Sequence, residues 1–201
     1  LSNKDKVFVH DSAFVDDGAE IGEGTKVWHF THIREGAKIG EKCNIGQNVY
    51  IGQGVKIGKG VKIQNNVSVY EGVEVGDYVF LGPSAVLTNV FNPRSEFPRK
   101  DEYRKTIIED GATIGANATI VCGVTLGRSC FIGAGAVVTR DVGDFSLVYG
   151  TPARHMGWIC ACGVNLEFGG EGETACPACS RVYVNKEDCV SLVSTGEGVS
   201  G

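Results

Sequence analysis

The chain of 201 residues holds eight cysteines, and four of them fall into two tight pairs, Cys160-Ala-Cys162 and Cys176-Pro-Ala-Cys179, separated by 13 residues. Four thiolates at such spacing suit a tetrahedral zinc ion, and the small segment between them could hardly fold without one. A set made only of cysteine leaves no open coordination position, so such a zinc would be structural and not catalytic. Disulfides or loose thiols are the alternative. Cys189 lies outside the pattern.

A second concentration of chemistry lies in the segment Asn89-Val-Phe-Asn-Pro-Arg-Ser-Glu-Phe-Pro-Arg-Lys-Asp-Glu-Tyr-Arg-Lys105. It sets Arg94, Arg99, Lys100, Arg104 and Lys105 against Glu96, Asp101 and Glu102, a net positive stretch on a chain of net charge −5. Guanidinium groups and free backbone N–H groups on such a lid suit an anionic ligand. A merely solvated loop is the bland reading of the same residues.

The element that must hold these groups is a repeat. Val9, Val15, Ile21, Val27, Ile33, Ile39, Ile45, Ile51, Ile57, Ile63, Val69, Val75, Leu81 and Leu87 fall on one six-residue series, which resumes from Ile108 to Val138. A glycine often follows, and a small or β-branched residue stands two positions earlier (Thr25, Thr31, Ala37, Cys43, Val49). This period fits short strands and tight turns, with three hexads per triangular coil and residues 18 apart stacked about 4.8 Å from one another. The expected fold is therefore all-β, a parallel β-helix of six to seven coils over residues 1–158 with a cap at 140–158. The spacing of 21 between Leu87 and Ile108 breaks the period, so 88–106 must be an extruded loop. A zinc-ribbon-like module at 159–185 and a flexible tail at 186–201 complete the expectation.

Stacking by eighteens places Glu35, Gln53, Glu71 and Asn89 on one outward ladder, with Cys122 below the loop. An outward thiol there could carry an acyl group. A second ladder runs His29, Gln47, Asn65, Pro83, Ala116, Ala134, where the paired alanines leave a shallow groove with accessible backbone, wide enough for a pantetheine arm. Cys43 and Cys130 sit at small inward positions and read as packing. The acidic balance excludes nonspecific nucleic-acid binding. No apolar run could span a membrane and no signal peptide is evident, so a cytoplasmic protein is expected. The prism faces invite self-association with closed cyclic symmetry.

The [LIV]-G-x-x-x-x repeat over about 9 to 139 resembles that of the left-handed β-helix acyltransferases. The segments Val27-Trp-His-Phe-Thr-His-Ile33, Lys62-Ile-Gln-Asn-Asn-Val-Ser-Val-Tyr-Glu71, Thr88-Asn-Val-Phe-Asn-Pro-Arg94 and Gly150-Thr-Pro-Ala-Arg154 most resemble the N-acetyltransferases of UDP-2-acetamido-3-amino-2,3-dideoxyglucuronic acid, which serve bacterial surface polysaccharide. The resemblance implies acetyl transfer from acetyl-CoA to the sugar 3-amine in a homotrimer with active sites between subunits. It implies that Asn89 accepts a hydrogen bond from the amine and that the backbone N–H of Arg99 holds the sugar carboxylate. Substrate contacts are implied for Arg94, Asn65, Asn66, Tyr70, Glu71, His29 and His32. Ala116, Ala134, Thr139, Arg140 and Arg154 would line the CoA site, the arginines matching its phosphates.

Many relatives carry a histidine in or beside the loop as general base. Here none lies between 33 and 154, and His29 stands three coils from the loop's coil, about 14 Å at strand spacing. His29 and His32 read better as interface or positioning residues. A carboxamide does not protonate usefully near neutral pH, so Asn89 is no base either. The economical expectation is attack by an already neutral amine that Asn89 orients.

Three other readings remain. An acetyltransferase for a dTDP-linked 3-amino-deoxyhexose would share the Asn-bearing loop but have no carboxylate to bind. A hexapeptide carbonic anhydrase would need histidines at a spacing that His10, His29 and His32 lack. A non-catalytic scaffold would need neither a basic lid nor an alanine groove.

Overall fold

The computed structural model describes residues 6–195. Its solenoid is built from two- and three-residue strands in three parallel sheets, one per prism face. The first face begins with Phe8–Val9 and Lys26–Val27 and runs down to Phe131–Ile132 and Ser146–Tyr149. The second runs from Phe14–Val15 and His32–Ile33 to Val137–Val138, and the third from Glu20–Ile21 to Thr125–Leu126. Register follows the eighteen-residue coil, with Ile63 between Ile45 and Leu81 on the first face. Across the loop the offset becomes 33, as in Leu87 with Ile120 and Val75 with Ile108, and below it the offset of 18 returns, as in Ile114 with Ile132.

The inward series makes one continuous apolar column, in which Ile33, Ile45, Ile51, Ile63, Leu81, Leu87, Ile108, Ile114, Ile120, Leu126 and Ile132 are fully buried. Corner residues fill the space beside it. The buried Thr25 and Thr31 hydroxyls donate to the carbonyls of Gly40 and Gly46 at 2.8 Å, which satisfies both polar groups locally. Cys43 and Cys130 are buried in this packing, and burial pushes the Cys130 thiol up to about 12. Glycine after the inward residue is required where coils stack: a Cβ on Gly115 would stand 2.5 Å from the backbone nitrogen of Ala134. The first coil departs from the pattern, because Val9 and Val15 remain 37% and 38% exposed with a described coil on one side only.

Ile63→Ala is expected to cost about 2–5 kcal/mol, a lost side chain plus a cavity in a column with no slack. Lys62→Ala, one residue away and outward, should stay within about 0.5 kcal/mol. Urea unfolding of both variants checks the inward assignment; equal effects would contradict it.

The segment boundaries differ from those read in the sequence. Thr106 already pairs with Val73, so the extruded loop ends one residue earlier, at 105. The cap at 140–158 is in part more solenoid: Val142 bridges Leu126 and Ser146–Tyr149 extends the first face. The chain then reverses through a cis Thr151-Pro152 bond, and Arg154–Ile159 returns antiparallel and pairs with Asn165–Leu166. One strand thus runs from the solenoid into the cysteine module without a linker at 158. The module also reaches past 185. Val182–Lys186 and Cys189–Ser194 form a hairpin beside Gly172–Ala175, so the expected tail is a strand through Ser194. The rest of that tail, 196–201, lies outside the described residues. Among the described residues no helix is long and apolar enough to cross a membrane.

Candidate functional site

The loop folds back over the edge between the second and third faces. Arg104 N–H donates to the Asn89 carbonyl at 3.0 Å, closing the loop at its base, and the Arg104 guanidinium lies 5.1 Å over the Phe91 ring. Between the loop and the second face is a cavity of about 410 Å³ whose lining includes Tyr70, Asn89, Arg94, Phe97, Arg99 and Tyr103. Its cations are not equivalent. Arg99 is chelated by both carboxylate oxygens of Glu102 at 2.7 and 2.9 Å, yet its buried Nε has no partner. Lys105 is paired with Glu74 at 2.8 Å. Arg94 donates to the Pro93 carbonyl and has no ion pair among the described residues. The cavity therefore combines a carboxamide, aromatic walls and two guanidinium groups with donor capacity in reserve.

Cys122 is not the outward thiol that its ladder position predicts. It is 3% exposed, because Arg104 packs over the adjacent Gly123 and the Thr88 hydroxyl accepts the Cys122 N–H at 2.9 Å. The loop's own base covers it, which removes the acyl-carrier role.

The other expected substrate residues do not gather at this cavity within one chain. His29, Asn65 and Asn66 stand on the edge between the first and second faces, where Asn65 Oδ1 accepts the Gln47 N–H and Asn66 Oδ1 accepts from the Asn48 amide. His29 stacks on His10 at 3.5 Å. His32 projects from the second face and bonds Asp16 at 2.9 Å. The bond from His32 and the Arg34 guanidinium hold the Asp16 carboxyl below its usual range. From there an aromatic path of Tyr50 and Tyr70 leads toward the loop cavity, with ring separations of 5.9 and 5.8 Å. Glu71 is exposed on the edge from which the loop leaves.

The residues expected at the CoA site divide likewise. Ala116 and Ala134 stack on the edge between the first and second faces, with the Gly135 N–H donating to the Ala116 carbonyl at 2.8 Å. Thr139, Arg140 and Arg154 line a separate cavity of about 400 Å³ at the lower end of the solenoid, and both arginines are exposed there.

The four paired cysteines converge. Their sulfurs lie within 4.8 Å of one another, with Cys160 to Cys179 at 3.4 Å and Cys162 to Cys176 at 3.6 Å. A tetrahedron with 2.3 Å arms has edges of about 3.8 Å, so the cluster fits zinc. The contacts are too long for disulfides. The fully buried Tyr183 hydroxyl accepts the Ala161 N–H at 3.0 Å and reaches Cys160 Sγ at 3.1 Å, orienting that ligand from behind. Burial pushes the Cys162 thiol up to about 12, whereas at Cys176 the backbone N–H groups of Ala178 and Cys179 together with the Cys160 and Cys162 thiols outweigh burial and hold it at about 6.

Sequence reasoning passed over His155, Trp158, Asp188 and Cys189, which line a further cavity of about 580 Å³ between the module and the solenoid. Only the hairpin brings Asp188 and Cys189 to that place, and its signal was the β-branched run on either side of Glu187-Asp188.

Two family models match the chain. The GMPPB C-terminal domain covers residues 28–91, and a hexapeptide repeat of succinyl-transferase covers 105–140. Among curated proteins, the dTDP-3-amino-3,6-dideoxy-alpha-D-galactopyranose 3-N-acetyltransferase of Aneurinibacillus thermoaerophilus is 41% identical over 91 residues, 45% of this chain and 46% of that protein. A 2,3,4,5-tetrahydropyridine-2,6-dicarboxylate N-acetyltransferase of Staphylococcus aureus is 44% identical over 79 residues, 39% of this chain and 30% of that protein. The chain thus spans less than half the length of these curated relatives. Similar solved structures include PerB of Caulobacter crescentus in complex with CoA and GDP-perosamine (26% identity, 75% of this chain and 57% of that one, TM-score 0.47). Another is a hexapeptide-repeat acetyltransferase of Vibrio cholerae complexed with acetyl-CoA (28% identity, 61% and 70%, TM-score 0.48). Over these segments the chain is similar to a hexapeptide-repeat model and to curated N-acetyltransferases.

Proposed function

We propose that this chain is an acetyl-CoA-dependent N-acetyltransferase acting on the 3-amino group of a nucleotide-linked sugar. The observation that carries the proposal is the loop cavity, where Asn89 stands among aromatic walls beside two arginines on a hexapeptide solenoid. Asn89 would orient the neutral amine by accepting one of its N–H bonds. The nitrogen lone pair attacks the thioester carbonyl, the carbon–sulfur bond breaks, and the departing thiolate takes the proton released by nitrogen. Arg94 and the backbone N–H of Arg99 are assigned to an acceptor carboxylate, which is the ground for preferring the UDP-2-acetamido-3-amino-2,3-dideoxyglucuronate of surface polysaccharide (O-antigen) synthesis, although the same cations suit any nucleotide diphosphate. A dTDP-linked 3-amino-deoxyhexose is the second reading, favoured by the 41% identity to an enzyme named for such a substrate.

Thr139, Arg140 and Arg154 are assigned to CoA, the arginines to its phosphates, and Ala116 and Ala134 to its pantetheine arm. Because His29, Asn65, Asn66 and the alanines stand on a different edge from the loop cavity, a complete site needs neighbouring copies. A homotrimer that buries the exposed Phe14, Tyr70 and Val86 of the second face would supply them. The four cysteines are assigned to structural zinc. A metal-held thiolate set would suit a reducing compartment such as the cytoplasm.

His29→Ala tests the mechanism against a histidine base. Its stacking on His10 predicts a role in positioning, so kcat should fall far less than the roughly 10²–10⁴-fold that removal of a general base brings, and the pH profile should keep its shape. A loss in that range with a flattened profile would assign the proton to His29 instead.

A further inference from the structure

Two cavities at the lower end of the solenoid adjoin one another. The one lined by Thr139, Arg140 and Arg154 and the larger one beside the cysteine module share Gly143, Ser146 and His155. The charge along this space is divided. Its solenoid end carries the exposed Arg140 and Arg154 with one carboxylate, Asp141, which already accepts the Thr125 N–H at 2.8 Å, whereas its module end carries an aromatic pair, His155 and Trp158 with ring centroids 4.4 Å apart, together with Asp144 and Asp188. Asp144 is already held by Arg128 at 3.0 Å, which leaves Asp188, in the hairpin turn, as the carboxylate for a ligand. Phosphates cannot favour the end with two carboxylates. A neutral, flat heterocycle with an exocyclic amine can, since its face stacks on an indole and its N–H bonds suit a carboxylate.

We infer that the cysteine module is the far wall of the CoA site, with Trp158 and Asp188 taking the adenine while Arg140 and Arg154 hold the phosphates. This rests on the acetyl-CoA reading above and extends it to residues outside the solenoid repeat. The module is tied rigidly enough for the task. The strand Arg154–Ile159 begins at a phosphate ligand, carries Trp158 and ends beside Cys160, and the Phe145 ring packs on Tyr183 at 5.1 Å. Zinc would thereby fix a binding wall as well as a small fold.

Cys189 makes the inference testable on the unmodified, zinc-loaded chain, because it is exposed and lines the module end of the cavity. Its alkylation by iodoacetamide, followed by mass spectrometry, should slow about tenfold with 3′,5′-ADP or CoA at ten times their dissociation constants, and stay unchanged with pantetheine. Trp158→Ala should raise KM for acetyl-CoA about tenfold while leaving KM for acetyl-pantetheine unaltered, and Trp158→Phe should restore most of the loss. Calorimetric CoA binding without protection of Cys189 would overturn the inference and leave the acetyltransferase reading standing. An equal rise in both KM values would make Trp158 merely structural and overturn it too. Absence of CoA binding altogether would remove the acetyl-CoA reading itself, and the inference with it.

Discussion

Asn89→Ala is expected to lower kcat/KM for the amino sugar by about a hundredfold while the chain folds normally and binds CoA as before. The side chain stands at the root of the loop, beside a backbone carbonyl already committed to Arg104, so its loss should leave the loop closed. What disappears is the acceptor that turns the amine lone pair toward the thioester. Asn89→Asp should fail differently. A carboxylate beside the amine stabilises the ammonium form and raises its pKa, so the rising limb of the pH–rate profile moves to higher pH and activity near neutrality falls. Full activity of Asn89→Ala would remove this residue from the chemistry. A lowered rate with an unshifted profile in Asn89→Asp would mean that it touches the sugar elsewhere than at the amine.

The second large effect belongs to the cysteines. Chelation, or Cys176→Ser, should abolish zinc stoichiometry and unfold the module while the solenoid stays intact. The two have separate cores: the aliphatic column of the prism, and a small cluster of Phe145, Cys160, Leu166, Cys176, Tyr183 and Val190. Two of those six are ligands, and the rest contribute about 1.5–3 kcal/mol each on burial. Ordering even twenty residues costs about 20–40 kcal/mol, so apolar burial alone falls well short. Structural zinc in small domains supplies about 10–16 kcal/mol, a large term that the module would lose with the metal. Hydrogen exchange should show protection lost from 160 to 194 and retained in strands such as Lys62–Ile63. A module that keeps its protection without metal would contradict the zinc assignment.

The prism was legible because its determinants are local and repeated. On either side of the loop, inward aliphatics recur eighteen residues apart, and a one-residue slip would turn the whole series outward. The loop was legible as a break in that count. Its contents were not: the closing bond from Arg104 to Asn89 joins residues on either side of an irregular segment, and it buries Cys122 against its ladder position. The convergence of the four paired cysteines was readable from spacing alone. The hairpin after them was obscured by the glycine- and serine-rich composition that follows, although Tyr183, Val184 and Val190 carry a strand pattern around the Glu187-Asp188 turn. The ladder positions of His29, Asn65 and Ala116 were read in the right register, but ladder reading could not bring separate edges together. The proposed trimer would do so, and no single-chain periodicity contains the placement of its subunits.

The central claim is transfer of acetyl from acetyl-CoA to a nucleotide-linked 3-amino sugar. It is tested most directly by acetyl-CoA-dependent thiol release from the zinc-loaded protein with two acceptors, UDP-2-acetamido-3-amino-2,3-dideoxyglucuronate and a dTDP-linked 3-amino-6-deoxyhexose. Rapid release with the uronate is expected, together with a product acetylated on the 3-nitrogen. Release with the deoxyhexose alone would keep the amine chemistry and remove the carboxylate role of Arg94 and Arg99. No release above the acceptor-free rate with either sugar would contradict the claim.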